Sequence, residues 1–206
     1  WAEAMHADML WAKLNPDQPF DFLDCRLQVS DCPAAASATL VRTGKPDVAP
    51  ARVIEAPQGN ILVAATDRAA VATGFLGGAQ VVAGALRIAC PRFGRDFATV
   101  AAVSLDGKPL ADSARILVTV VARAENQGMK WNALRNSVGA DWGHGPTIAE
   151  RVPATITLAA AGARKVFALA PDGTRAREVK TTADAGALVF TVSPKDHTLH
   201  YEIVAE

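Results

Sequence analysis

Residues 115–159 read RILVTVVARAENQGMKWNALRNSVGADWGHGPTIAERVPATITLA. Two runs rich in Val, Ile and Thr, Ile116–Val121 and Ala154–Leu158, bracket a long polar excursion containing several glycines. Such β-branched residues favour strand interiors, because their stiff side chains pack well on a pleated surface. Connections in compact domains are usually about 4–6 residues long, and loops beyond roughly 12–15 are either functional or disordered. Disordered linkers are poor in aromatic residues. This excursion holds Trp131, Trp142 and His144, and its two Trp residues are half of the four in the chain. It is therefore expected to fold against something.

Outward from this stretch, toward both ends, the same strand signal repeats. Before it come Arg52–Glu55, the turn Pro57-Gln58-Gly59-Asn60, Ile61–Ala65, Ala70–Phe75, Gln80–Cys90, Phe97–Leu105 and the hairpin signal Asp106-Gly107. After it come Lys165–Leu169, the turn Asp172-Gly173, Arg177–Thr181, Ala187–Val192 and Thr198–Val204. Short strands at close spacing with no helical stretch between them predict an all-β fold, an antiparallel β-sandwich of jelly-roll or Ig-like type. In TLHYEIVAE, Leu199, Tyr201 and Ile203 share one face and His200, Glu202 and Val204 the other. That alternation suits a half-buried closing strand, with Tyr201 in the core.

The first fifty residues read differently, so the expected organisation is residues 1–50 as a helix with a linker or edge segment and residues 51–206 as the sandwich. Trp1, Met5, Met9 and Leu10 fall at helical spacing before Asn15-Pro16 stops the run. Such a short amphipathic N-terminal helix is a clasp on the sandwich or the tail of a preceding domain, with His6 on its surface. Between it and Pro50, only Ala38–Arg42 reads as a strand. Opening on Trp1 with neither a basic segment nor an apolar core behind it, the chain reads as processed or excised.

Charge and cysteine content exclude several classes. With 21 basic and 21 acidic residues the formal charge balances, and the basic footprint of a nucleic-acid binder is missing. No apolar run approaches the roughly 20 residues that cross a bilayer. Neither nucleic acid nor membrane is an expected partner. Three cysteines are too few for a disulfide-built fold. Cys25 and Cys32 fit either a small disulfide in an oxidising compartment or two ordinary thiols, and Cys90 ends an apolar run as a small buried residue. No Cys or His pair has zinc spacing, and no acidic cluster is dense enough for calcium, so no metal or other cofactor is expected.

Catalytic templates are missing too. There is no nucleophile elbow, P-loop, dinucleotide fingerprint or zinc-protease helix motif. Gly74-Phe75-Leu76-Gly77-Gly78 lacks a following helix and reads as a strand-end turn. Glu125 and Glu150, at the two stems of the excursion, are the one carboxylate pair that could serve a stand-alone glycoside hydrolase, which needs two acids facing across a cleft. The stronger expectation is binding. Exposed indoles can stack on the C–H faces of sugar rings while polar side chains take the hydroxyls. Trp131, Trp142 and His144 supply the platform, and Asn126, Lys130, Asn132, Arg135 and Asp141 the anchors. The alternative is that both indoles pin the excursion to its own sandwich or to a partner protein.

Four pieces carry a resemblance: ILVAATDRAAVATGFLGG (61–78), FATVAAVSLDGKPLADSARILVTVVARAENQGMKWN (97–132), GADWGHGPTIAERVPATITL (139–158) and TLHYEIVAE (198–206). Residues 51–206 resemble the C-terminal β-sandwich that follows the (β/α)8 catalytic barrel in bacterial polysaccharide-degrading glycoside hydrolases of the clan that includes cellulases and β-galactosidases. The resemblance implies a non-catalytic domain of a secreted or periplasmic enzyme, packed against the barrel, with its long loop approaching the substrate cleft. The implied partners are that barrel and a polysaccharide or oligosaccharide. A barrel takes roughly 250 residues, more than the 206 here. The catalytic acids of such enzymes reside on the barrel, so no catalytic residue carries over to this chain.

Overall fold

The computed structural model of the chain describes residues 52–135, 137–160 and 162–206, together with the backbone of two strands near the N-terminus. The chain divides into two units, Trp1–Val48 and Ala49–Glu206. In the first, β1 (Arg26–Ser30) and β2 (Ser37–Val41) form an antiparallel ladder. The expected helix over residues 1–14, His6, Cys25 and Cys32 all lie outside the described residues.

The second unit is an all-β, antiparallel sandwich. Its strands in chain order are β3 (Arg52–Ala56), β4 (Gly59–Ala65), β5 (Ala69–Phe75), β6 (Gln80–Ala83), β7 (Leu86–Ala89), β8 (Phe97–Ser104), β9 (Arg115–Val121), β10 (Ala124–Gln127), β11 (His144–Ala149), β12 (Ala154–Leu158), β13 (Arg164–Leu169), β14 (Arg175–Val179), β15 (Thr181–Asp184), β16 (Ala187–Val192) and β17 (His200–Ala205). Eight form one sheet in the order β14-β13-β17-β9-β8-β5-β4-β3, and five form the other in the order β15-β16-β12-β7-β6. Two-residue alternation decides what faces inward. Ile61, Val63, Val100, Ile116, Val118, Val166 and Ile203 of the larger sheet join Val81, Leu86, Ile88, Ile156, Leu158 and Phe190 of the smaller in one core. Each such side chain contributes about 1.5–3 kcal/mol on burial. Tyr201 lies fully inside and donates its hydroxyl to Asp196 Oδ2 at 2.8 Å. Cys90 is buried, which pushes its thiol up to about 11.

Two expected strands break where the chain changes partner. Gln80–Cys90 is a hairpin rather than one strand: Gly84 takes φ +55° and turns β6 back onto β7. The run around Arg177–Thr181 is divided at Lys180, since β14 belongs to the larger sheet and β15 to the smaller. Asp106-Gly107 does not make a two-residue hairpin. Residues 105–114 form a wider connection tied by Asp106, whose carboxylate accepts from Ser113 Oγ (2.7 Å), Ala114 N (2.8 Å), Ser104 Oγ (2.9 Å) and Lys108 N (3.2 Å). Those bonds, Ser113 first, hold its carboxyl far below the usual carboxylate range. Asp172-Gly173 does make the expected turn, between β13 and β14.

On the outer face of the larger sheet, Glu202 of β17 is 5% exposed. Arg115 donates to its Oε1 from Nε (2.9 Å) and Nη2 (2.6 Å), and Arg175 Nε donates to its Oε2 (2.7 Å). The Arg175 guanidinium also covers the Phe167 ring at 4.6 Å. These bonds, Arg175 first and then Arg115, hold the Glu202 carboxyl below its ordinary value against the opposing effect of burial.

Candidate functional site

The excursion between β9 and β12 contains a hairpin that its polar sequence does not announce. Its stem closes where Glu150 N donates to Arg123 O at 2.7 Å. Above this, β10 pairs with β11 through Ala124↔Ala149, Glu125↔Ile148 and Asn126↔Thr147, and the register then slips so that Gln127 meets His144. Asn126 clamps the slip: its Nδ2 donates to Trp142 O (3.0 Å) and its Oδ1 accepts from Thr147 Oγ1 (2.8 Å). Gly143 is required beside it, since a Cβ there would stand 2.4 Å from Gln127 O at φ +67°. The segment between the strands is cross-tied by Lys130 N to Asp141 O (3.1 Å) and Asn132 N to Ser137 O (2.9 Å).

This geometry sorts the predicted binding residues into two groups. At the outer end Trp142 is 62% exposed. Lys130, Asn132, Asp141 and His144 are exposed as well, and His144 Nδ1 lies 2.8 Å from Gly145 O. The amide of Asn126 is occupied in holding the hairpin, so it is a scaffold group rather than a free anchor. Trp131 and Arg135 instead turn to the foot of the excursion and line an open recess of about 480 Å³.

The recess is built on Glu125 and Glu150, which the hairpin stem brings together. Arg123 contacts both, with Nη1 3.5 Å from Glu125 Oε1 and Nε 3.7 Å from Glu150 Oε2. Arg135 Nη2 donates to Glu125 Oε1 at 2.7 Å while its guanidinium lies 5.3 Å from the centre of the Trp131 ring. A guanidinium so placed is attracted to the negative face of the indole. Glu150 is fixed from the other side. Its Oε1 accepts from Arg95 N at 3.3 Å, and Gly94 makes space for it, because a Cβ there would stand 1.5 Å from that oxygen. Phe97, packed edge-on against Phe75 at 5.5 Å, gives the recess an apolar wall.

Two buried polar atoms here have no hydrogen-bond partner, Trp131 Nε1 and Glu150 Oε2, although the carboxylate oxygen keeps its ion-pair contact with Arg123 Nε at 3.7 Å. Leaving such a group unsatisfied costs about 1–3 kcal/mol. The side chains that carry these atoms line a recess with an aromatic wall, while the two atoms themselves are closed to solvent. What the recess presents to a ligand is the aromatic side chains of Phe97 and Trp131 and the arginines Arg95, Arg123 and Arg135. The two carboxylates stand in an arginine network rather than alone. Among the described residues no group of three or more His, Cys, Asp or Glu side chains is placed to hold a metal ion.

Arg95, Arg123 and Phe97 complete the recess and are not among the predicted residues. Arg123 had a signal, since it precedes Glu125 by two positions at the stem. Arg95 and Phe97 had none, because the loop before β8 reaches the stem only through the fold. Compared with known proteins, the chain matches no family model, no curated protein and no solved structure.

Proposed function

We propose that the chain is an accessory β-sandwich module of a secreted polysaccharide-degrading enzyme, and that it holds carbohydrate at the foot of the 125–150 excursion. The accessory role, the secretion and the catalytic barrel as partner rest on the sequence resemblance. The binding half rests on one observation, the open recess that Phe97, Trp131 and three arginines line at the foot of the excursion. In this reading a sugar ring lies against Phe97 and Trp131, its hydroxyls accept from the arginine side chains of the recess, and Trp142 extends the platform outward. The experiment is affinity electrophoresis of the chain in gels containing soluble polysaccharides. Retardation of the parent, weakened by Trp131→Ala and Trp142→Ala, is expected. No retardation on any glycan discards the binding half.

A second reading has its own observation. Leu134 (81% exposed), Trp142 (62%) and Ile148 (56%) are large apolar side chains held out on the same excursion. Exposed apolar groups of this kind serve docking between proteins. Light scattering that finds a concentration-dependent dimer, lost in Leu134→Ser and Ile148→Ser, favours this second reading over the first. The stand-alone hydrolase built on Glu125 and Glu150 ranks last, because Arg123 and Arg135 already engage those acids.

A further inference from the structure

The charges of the recess do not balance. Three guanidinium groups, Arg95, Arg123 and Arg135, face two carboxylates, Glu125 and Glu150. Arg123 and Arg135 are the two that engage the acids. Arg95 is exposed and contributes only its backbone N–H, to Glu150, while its side chain forms no ion pair among the described residues. That backbone bond fixes where its side chain begins, at the rim beside the Glu150 carboxylate. The recess therefore offers an aromatic wall and one uncompensated cation.

We propose that the sugar it takes carries a carboxylate, so that the recess seats a uronate unit of an acidic polysaccharide with Arg95 meeting the charge. The inference rests on the carbohydrate-binding reading above and deepens it. A guanidinium presents paired N–H groups that match a planar carboxylate in a bidentate fork, which an ammonium cannot reproduce. A neutral sugar stacks on the aromatic wall equally well but leaves the Arg95 charge unused. The repulsion a uronate would meet from Glu150 is offset by Arg123, whose Nε stands 3.7 Å from Glu150 Oε2. Discrimination by a single exposed cation should also fall with ionic strength.

The test measures binding of the whole chain to a galacturonate oligomer, its methyl ester, a neutral glucan oligomer and a sulfated galactan oligomer. The acid is expected to bind at least ten-fold more tightly than its ester, and 0.5 M salt to narrow that gap. Arg95→Ala should bring the acid down to the level of the ester, with far-UV circular dichroism unchanged, and Arg95→Lys should restore only part of the gap. Equal binding of acid and ester, a gap that survives Arg95→Ala, or preference for the sulfated oligomer overturns the uronate inference while the carbohydrate-binding reading stands. Binding of none of the four overturns both.

Discussion

Two glutamates, each set among arginines, differ in what they have left to give. Glu202, in the middle of the larger sheet, accepts two bonds at one oxygen and one at the other, and its carboxylate is closed. Glu150, at the foot of the excursion, accepts one backbone N–H at Oε1 and nothing at Oε2. Both side chains are largely buried, 6% and 15% exposed. The difference is in the geometry of the partners. Arg115 reaches Glu202 from the adjacent strand β9 and Arg175 from β14, across β13, all at 2.6–2.9 Å, whereas Arg123 stays 3.7 Å from Glu150. The first arrangement is structure alone; the second leaves a carboxylate oxygen without a hydrogen bond beside the recess.

The contrast yields graded expectations. Glu202→Gln strips the charge from a group with two cationic partners and should cost about 2–3 kcal/mol, below the 3–5 kcal/mol of a fully buried pair because both guanidinium groups are half exposed. Urea unfolding measures this, and glycan retardation should not change. The same variant gives the pH dependence. The folded carboxyl of Glu202 is held below its ordinary value of 4.5 by Arg175 and then Arg115. Its contribution is therefore present above the unfolded value and lost as pH falls through the folded one. The stability gap between parent and Glu202→Gln should close in acid, and a gap constant with pH would contradict the closed ion-pair account.

Gly94→Ala should come next, costing about 1–2 kcal/mol by strain at φ +30°. It should also remove glycan retardation, since the added methyl displaces Glu150. Calorimetry and affinity electrophoresis read the two effects separately. Glu150→Gln should change stability by no more than about 1 kcal/mol and, by loosening Arg123 in the recess, alter retardation, the reverse of Glu202→Gln. Trp142→Ala should fall within about 0.5 kcal/mol of the parent, because its side chain is mostly in solvent; a larger loss would make that indole structural.

Much of the sandwich is legible because alternation is strict where one face is buried. Phe97–Ser104 and Arg115–Val121 place every second residue in the core, and the sequence has the same period. Gln80–Cys90 was harder, since Gly84 turns the chain inside an unbroken apolar run. The hairpin in the excursion left no pattern, because AENQ and HGPTIA carry no buried alternation. Glu125 and Glu150 could be paired from the sequence as the two stems of one excursion. Arg95 could not, because its distance from Glu150 is 55 positions along the chain and one hydrogen bond in space.

The position of β17 has a consequence for synthesis. It lies between β13 and β9, so the larger sheet stays in two pieces until residues 200–205 have been made. A nascent chain that has emerged only as far as β16 exposes two open strand edges and the cavity that Tyr201 will fill. Such edges invite pairing with other chains, so a ribosome stalled short of this point should release a polypeptide that needs a holding chaperone, however complete its other ladders are.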